Sequence, residues 1–262
     1  MSIEAYSRRD IVNDFASRDY LTPAEFVALG EAWRQVRGDV LDVGVGGGRT
    51  TGYLRAIASS YRALDISSEM AEACRAQHPG VDIGVGDART LAGHPDAGYD
   101  LVLFSFNGID YIDHGERNQV LASALRVLRP GGAFVYSSHN LGVLGGRLPP
   151  VQPAPLVRTI DPVRMLVRGA RALAGTLRRR RNRRRLGDHQ YLGDGHALVN
   201  DECYDHSLLT VYVYPERERE TLAAAGFERI VTVDASGRLD PGQHRDPWVY
   251  YIARKPAAAP AA

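Results

Sequence analysis

Apolar positions along this chain fall into two alternating periods. Short apolar runs bounded by glycine, proline or polar residues occupy 39–43, 62–67, 81–85, 99–107 and 133–137. Burial on both faces makes a parallel strand read as such a run. The stretches between them space their apolar residues by three and four, as a helix does. Val120, Leu121, Leu125 and Leu128 show this spacing within 117–129. Residues 51–60 supply another such helix, and Ser67 caps a third that opens through Glu69 and Met70. This β–α alternation predicts right-handed crossovers and a doubly wound, mostly parallel α/β sheet. Residues 1–37 precede the first strand and are expected to be mostly helical. Thr22-Pro23-Ala24-Glu25 reads as a cap, a first-turn proline and a supporting acid. Phe26, Leu29, Trp33 and Val36 share the inward face, and Gly38 ends the helix.

The alternation breaks after residue 140. Residues 141–207 form an insertion opened by a proline-rich linker around Pro149, Pro150, Pro153 and Pro155. Asp161-Pro162 then begins a helix with Val163, Leu166, Val167, Ala170, Leu173 and Leu177 on one face. Arg164, Arg168 and Arg171 share the helix, and arginines fill 178–181 and 183–185. Such a basic amphipathic helix can lie on a membrane, meet a phosphate-rich partner, or dock on its own domain. We expect it to dock by its apolar face, with the insertion forming a wall over an acceptor site. The sheet should resume at 208–255, with 208–214 as the sixth strand and 227–234 and 246–254 as the remainder. Residues 256–262 read as a flexible tail.

The chemistry lies where the first strand ends. Asp42-Val43-Gly44-Val45-Gly46-Gly47-Gly48-Arg49 joins an apolar run to a helix through a glycine cluster. Glycine lets the backbone turn sharply and approach a ligand, and the following helix N-terminus offers free N–H groups. A dinucleotide fingerprint wants G-x-G-x-x-G, but Arg49 stands where the third glycine should be. The spacing present, with Asp42 before it, resembles motif I of the class I S-adenosylmethionine (SAM)-dependent methyltransferases. The other landmarks of that family follow in order. They are Leu64-Asp65 ending the second strand, Gly86-Asp87-Ala88 after the third, an acid-led fourth strand from Asp100, and Leu128-Arg129-Pro130-Gly131-Gly132 before the fifth. The resemblance spans 38–140.

That resemblance implies a Rossmann-like, seven-stranded sheet ending in an antiparallel hairpin, with SAM as methyl donor and S-adenosylhomocysteine (SAH) as product. The implied cofactor site comprises Asp42, Gly44, Gly46, Gly48, Arg49, Asp65, Ile66, Met70, Asp87, Ala88, Phe104 and Ser105. Asp65 would receive the ribose hydroxyls, and Asp87 or its neighbours would meet the adenine. Met70 is either near the adenine or part of the core. Arg49 is expected to fork onto the methionine carboxylate. Segments before the first strand cover the pocket in this family, which makes Tyr6, Arg18 and Tyr20 lid candidates. Transfer from a sulfonium is an in-line displacement and needs no metal. An oxygen acceptor needs a base, and His139 at the end of the fifth strand is the first choice. Asp110 and Tyr111 are the alternatives, and His206 lies across the insertion.

Composition changes this picture little. The chain has 262 residues, 44% of them hydrophobic, and a formal net charge of +1. One α/β domain with an insertion suits that length, and global charge implies no partner. Two cysteines, Cys74 and Cys203, make no disulfide framework, so a reducing, cytoplasmic setting is expected. No signal peptide and no membrane span are evident. His189, His196 and His206 lie among acids, but their spacing matches no metal-ligand pattern. A small-molecule acceptor, methylated on oxygen in preference to nitrogen, is the leading function. An RNA or other polyanionic substrate and a non-catalytic SAM-binding module are the alternatives.

Overall fold

The computed structural model describes residues 7–258. Tyr6 and the end of the C-terminal tail lie outside them. The chain runs α1 (Arg9–Ala16), α2 (Pro23–Glu31), α3 (Trp33–Val36), β1 (Asp39–Val43), α4 (Thr51–Ile57), β2 (Ser60–Asp65), α5 (Ser68–Gln77), β3 (Asp82–Val85), β4 (Tyr99–Phe104), α6 (Arg117–Val127) and β5 (Leu128–Asn140). The insertion supplies α7 (Pro162–Leu186), β6 (Tyr191–Leu192) and β7 (His196–Val199). Then come β8 (Thr210–Val213), α8 (Pro215–Ala224), β9 (Glu228–Asp234) and β10 (Trp248–Arg254).

Strands β3, β2, β1, β4 and β5 pair in that order, all parallel. Strand β10 runs antiparallel between β5 and β9. These seven strands are the doubly wound sheet with its antiparallel hairpin. Alternate strand residues face opposite layers, so both faces are apolar. Leu41, Val43, Phe134, Tyr136 and Tyr251 pack under α6 and α8. Val40, Leu101, Val135, Tyr250 and Ile252 pack with Ala28 and Leu29 of α2 and Leu54 of α4.

Three further strands are present. The sixth strand expected at 208–214 is β8, and it stands outside the seven. Strand β4 stops opposite Tyr136, while β5 continues to Asn140 and β10 covers its other edge. The edge that β4 leaves open takes β8 through His139 and Asn140. Strands β7 and β6 extend this branch antiparallel. Strand β9 is therefore the sixth strand of the core.

Helix α7 also differs from expectation. It continues through the arginine run, and its apolar residues do not dock. Leu166 is 77% exposed and Leu173 63%, whereas Gly175 is buried. A Cβ at Gly175 would stand 2.9 Å from the Cβ of Ala154, so the helix rests on the linker through its smallest residue. No described helix is long and apolar enough to cross a membrane.

At Gly48 the backbone has φ +93°, and a Cβ would stand 2.7 Å from both Cys74 Sγ and the His78 ring. Gly48→Ala should therefore cost roughly 1–3 kcal/mol of stability through strain and overpacking against α5. Urea unfolding reads this, and an unchanged midpoint would contradict it.

Candidate functional site

The loop after β1 is crowded as well as bent. Gly44 and Gly46 have φ of +63° and +56°. A Cβ at Gly44 would lie 2.5 Å from the Phe104 ring, and one at Gly47 2.5 Å from the backbone of Ala16 in α1. The loop is thus pressed between the end of β4 and the first helix. Asp65, at the end of β2, accepts N–H bonds from Gly46 and Ser67, each 2.9 Å. Each of its oxygens keeps acceptor capacity. Burial raises the Asp65 pKa, against the backbone donors that lower it.

A cleft opens beside this loop. Gly44, Gly46, Arg49, Asp65, Ile66, Met70, Asp87, Ala88, Phe104 and Ser105 all line it. Phe15 of α1 lines it too, a residue that sequence reasoning missed although it lies in the expected covering segment. Tyr20 is exposed, and Arg18 sits over the rings of Phe15 and Phe106.

Three residues expected at the cofactor have other work. Asp42 does not line the cleft; it is buried and accepts from Thr50 Oγ1 at 2.6 Å and the Tyr61 hydroxyl at 2.8 Å. Burial pushes its carboxyl up to about 6. Gly48 does not line the cleft either, and its role is the close packing on α5. The fork of Arg49 is already filled. Its two terminal nitrogens bond the Glu25 carboxylate at 2.7 and 2.5 Å, and one also reaches the Tyr20 carbonyl. Burial works to raise the Glu25 pKa, but the Arg49 guanidinium holds it below the usual carboxylate range. Glu25 was legible only as a helix cap, and nothing in its spacing pointed to Arg49. Also in the cleft lining, Arg89 binds both Asp87 oxygens and Glu116. The Arg89 hydrogen bond holds the Asp87 carboxyl low.

The other end of the cleft is lined by Phe106, Gly108, Tyr111, Ile112, Leu208 and Leu209. Phe106 and Asn107 both adopt left-handed backbone, with φ of 55° and 60°. Such strain at a strand end persists only where packing fixes it. The Tyr111 hydroxyl lies 3.3 Å from Cys203 Sγ. His139 is not among the cleft-lining side chains. Its Nδ1 is 2.7 Å from Asp110 Oδ2, and its Nε2 is 3.5 Å from Asn107 Nδ2. Asp110 cannot serve as the base considered for it. It is fully buried and accepts from Arg117, Ser138 Oγ, the His139 backbone N–H and the His139 ring. Its place is to hold the imidazole. His206 is buried with Nδ1 against the Asn200 carbonyl, away from the cleft lining. Among the described residues no group of three or more His, Cys, Asp or Glu is gathered to hold a metal.

A family model described as a methyltransferase domain matches residues 40–132, the segment carrying the loop and β1 to β4. Residues 40–132 thus match a methyltransferase domain in sequence, and the relatives and solved structures that the chain resembles are SAM-dependent methyltransferases. This domain is 34% identical over 116 residues to a probable SAM-dependent methyltransferase of Mycolicibacterium smegmatis, covering 44% of each chain. It is 36% identical over 103 residues to a fatty-acid O-methyltransferase of the same species, covering 37% of this chain and 36% of the other. The matched region thus spans less than half of these curated relatives. Among solved structures, the 1,6-didemethyltoxoflavin-N1-methyltransferase of Burkholderia thailandensis superposes with a TM-score of 0.55 at 16% identity. That match covers 97% of this chain and 88% of the other, and the likeness is one of fold.

The Asp42 carboxyl of the methyltransferase domain sets a pH dependence. Its pKa rises from 3.8, the ordinary value for an aspartate, to about 6 in the fold, so the native state binds the proton more tightly. This contribution is present below about pH 4 and is lost as pH rises through about 6. Asp42→Asn keeps an acceptor for Thr50 and Tyr61 without the charge. Relative to wild type it should gain stability between pH 4 and 7, by on the order of 3 kcal/mol at most. Melting curves across that range check it, and a pH-independent difference would refute it.

Proposed function

We propose that this chain transfers the methyl group of SAM to a small-molecule acceptor in the cytoplasm, on oxygen in preference to nitrogen. The observation that carries the reading is Asp65, a buried carboxylate lining the cleft beside a loop with no room for a Cβ at Gly44 or Gly47. Two cis hydroxyls of a ribose match its remaining acceptor positions. The N–H groups of the glycine loop and the opening of α4 suit the polar tail of the cofactor. Met70, Ile66 and Ala88 offer an apolar slot for a purine. When bound, SAM supplies an activated methyl for in-line displacement. The residues present fit that group.

The residues beyond Phe104 would hold the acceptor. Ile112, Leu208 and Leu209 favour an acceptor with apolar surface, and the Tyr111 ring closes the same end. The name of the fatty-acid O-methyltransferase supports an oxygen acceptor, while that of the toxoflavin enzyme shows that this fold also serves nitrogen. We favour oxygen because of the His139–Asp110 pair. Asp110 accepts from Nδ1–H, which leaves Nε2 as the proton acceptor. Arg117, Asp110 and Glu218 together carry one excess negative charge beside the ring, which suits an imidazolium formed during transfer. Asn107 Nδ2 stands 3.5 Å from Nε2, and a bound acceptor must shift the Asn107 side chain to reach the base. None of α7 lines the cleft, which leaves the arginines without a part in acceptor binding.

Two measurements test the proposal. Calorimetry with SAH should show binding by the wild type and a loss of roughly 2–4 kcal/mol in Asp65→Ala, from unpaired ribose hydroxyls. Undiminished affinity in the variant would remove Asp65 from the site. For the base, His139→Asn should bind SAH within a few-fold of wild type but lose about 10²–10⁴ in methylation rate. The wild-type rate should also rise with pH along a limb that the variant lacks. If Tyr111→Phe instead abolishes that limb, the tyrosine is the base.

A further inference from the structure

We propose that α7 is an interfacial helix that seats the protein on an anionic phospholipid surface. Its apolar stripe would enter the headgroup–acyl boundary and its exposed arginines would meet the lipid phosphates. The helix has 25 residues and so spans roughly 37 Å. At 100° per residue, Val163, Leu166, Val167, Ala170, Leu173, Ala174 and Leu177 fall within an arc of roughly 120°. Every one of them is at least partly exposed. The opposite side carries Gly175, Arg179 and Arg183, and these face the body. Arg179 bonds Asp205 and the Pro153 carbonyl, and Arg183 bonds the carbonyls of Asn200 and Pro149. The protein therefore grips α7 by its polar side and presents the apolar one. Leu156, Val157 and Ile160, just before the helix, are exposed as well.

Charge decides what covers this face. The helix holds ten arginines and no acid. Arg171, Arg180, Arg181, Arg184 and Arg185 make no hydrogen bond or ion pair among the described residues, and all are at least partly exposed. The last two turns continue the apolar arc as Arg181, Arg184 and Arg185. Long arginine stems can lie along lipid while their heads reach phosphate. Apolar insertion and cationic attraction on one face are the two terms of anionic-membrane binding. A surface that tracks nucleic-acid phosphates would not spend seven positions on apolar residues, and α7 has no aromatic ring on which a base could stack. A second copy would bring ten more arginines and no acid in its own α7 to pair with these.

The test needs no turnover and no cofactor, so it stands apart from the proposed reaction. The whole chain is sedimented with vesicles of phosphatidylcholine alone, or with about one third phosphatidylglycerol. Partitioning should be at least about tenfold stronger on the anionic vesicles and should fall as salt rises. The triple variant Leu166→Ser, Leu173→Ser, Leu177→Ser should lose about tenfold or more, and so should Arg180→Gln, Arg181→Gln, Arg184→Gln, Arg185→Gln. None of these residues is buried, and circular-dichroism melts should match wild type. Equal binding to neutral and anionic vesicles would overturn the proposal, as would no binding, or a leucine variant that binds like wild type. So would salt-sensitive binding to transfer RNA without vesicle binding, or a dimer that the leucine variant dissolves.

Discussion

Arg117 brings its charge into a place closed to water and is held there by two carboxylates. Asp110 and Glu218 each bond it at 2.7 Å, and Tyr136 donates to the same Glu218 oxygen. These residues come from the turn after β4, from α6, from β5 and from α8. Removing one partner of such a set strands a buried charge, at a cost of about 3–5 kcal/mol. The set therefore survives only whole, and it fixes how the end of β4 meets the end of β5. His139 inherits its orientation from that constraint. Its backbone N–H and ring both bond one oxygen of Asp110, and the Tyr212 ring, 4.7 Å away, limits its tilt.

A second buried pair does the same for the opposite wall. Glu25 caps α2 through Thr22 and also binds Arg49, so one carboxylate ties the N-terminal helices to the glycine loop. The Arg49 guanidinium lies 4.6 Å from the centre of the Phe106 ring, which links the loop to the strained turn after β4. Most charges around the cleft are neutralised by such internal partners. Arg49 has Glu25, Asp87 has Arg89, and Asp110 has Arg117. Asp65 differs, because among the described residues only backbone N–H groups bind it. A ligand that brings hydroxyl donors to Asp65 displaces no ion pair, and that difference gives the cleft its polarity.

The sheet was legible because its strands are buried on both faces and so read as apolar runs between breakers. The ordered landmarks from Asp42 to Gly132 then placed the cleft. What sequence could not show was which neighbour claims each polar group. Asp42 alternates with Leu41 and Val43, and its parity turns it toward Thr50 and Tyr61 rather than toward the loop's open side. Arg49 is expected at the methionine carboxylate, but the partner that fills its fork lies 24 positions earlier, on another element. The sixth strand was misplaced because apolar runs at 208–214 and 227–234 look alike. Only the overhang of β5 past β4 decides which joins the core. In α7 the spacing told which residues share a face. Spacing is the same whether that face is covered or bare, and the arginine anchors on the other side settle it.

Those anchors also join two parts of the insertion. Arg178 and Arg179 both bind Asp205, the middle of three consecutive residues with positive φ, Tyr204 to His206. A left-handed run of non-glycine residues is costly and is held by what surrounds it. Asn182 donates to the Asp205 carbonyl, and Asn200 donates to the carbonyl of His206, so the middle and the end of the run are pinned. Cys203 stands just before it against Tyr111, and Leu208 and Leu209 stand just after it in the cleft wall. The chain that closes the acceptor end is thus fastened to α7 through the Asp205 carboxylate and through backbone carbonyls. Whatever seats α7 bears directly on the segment that shapes the cleft.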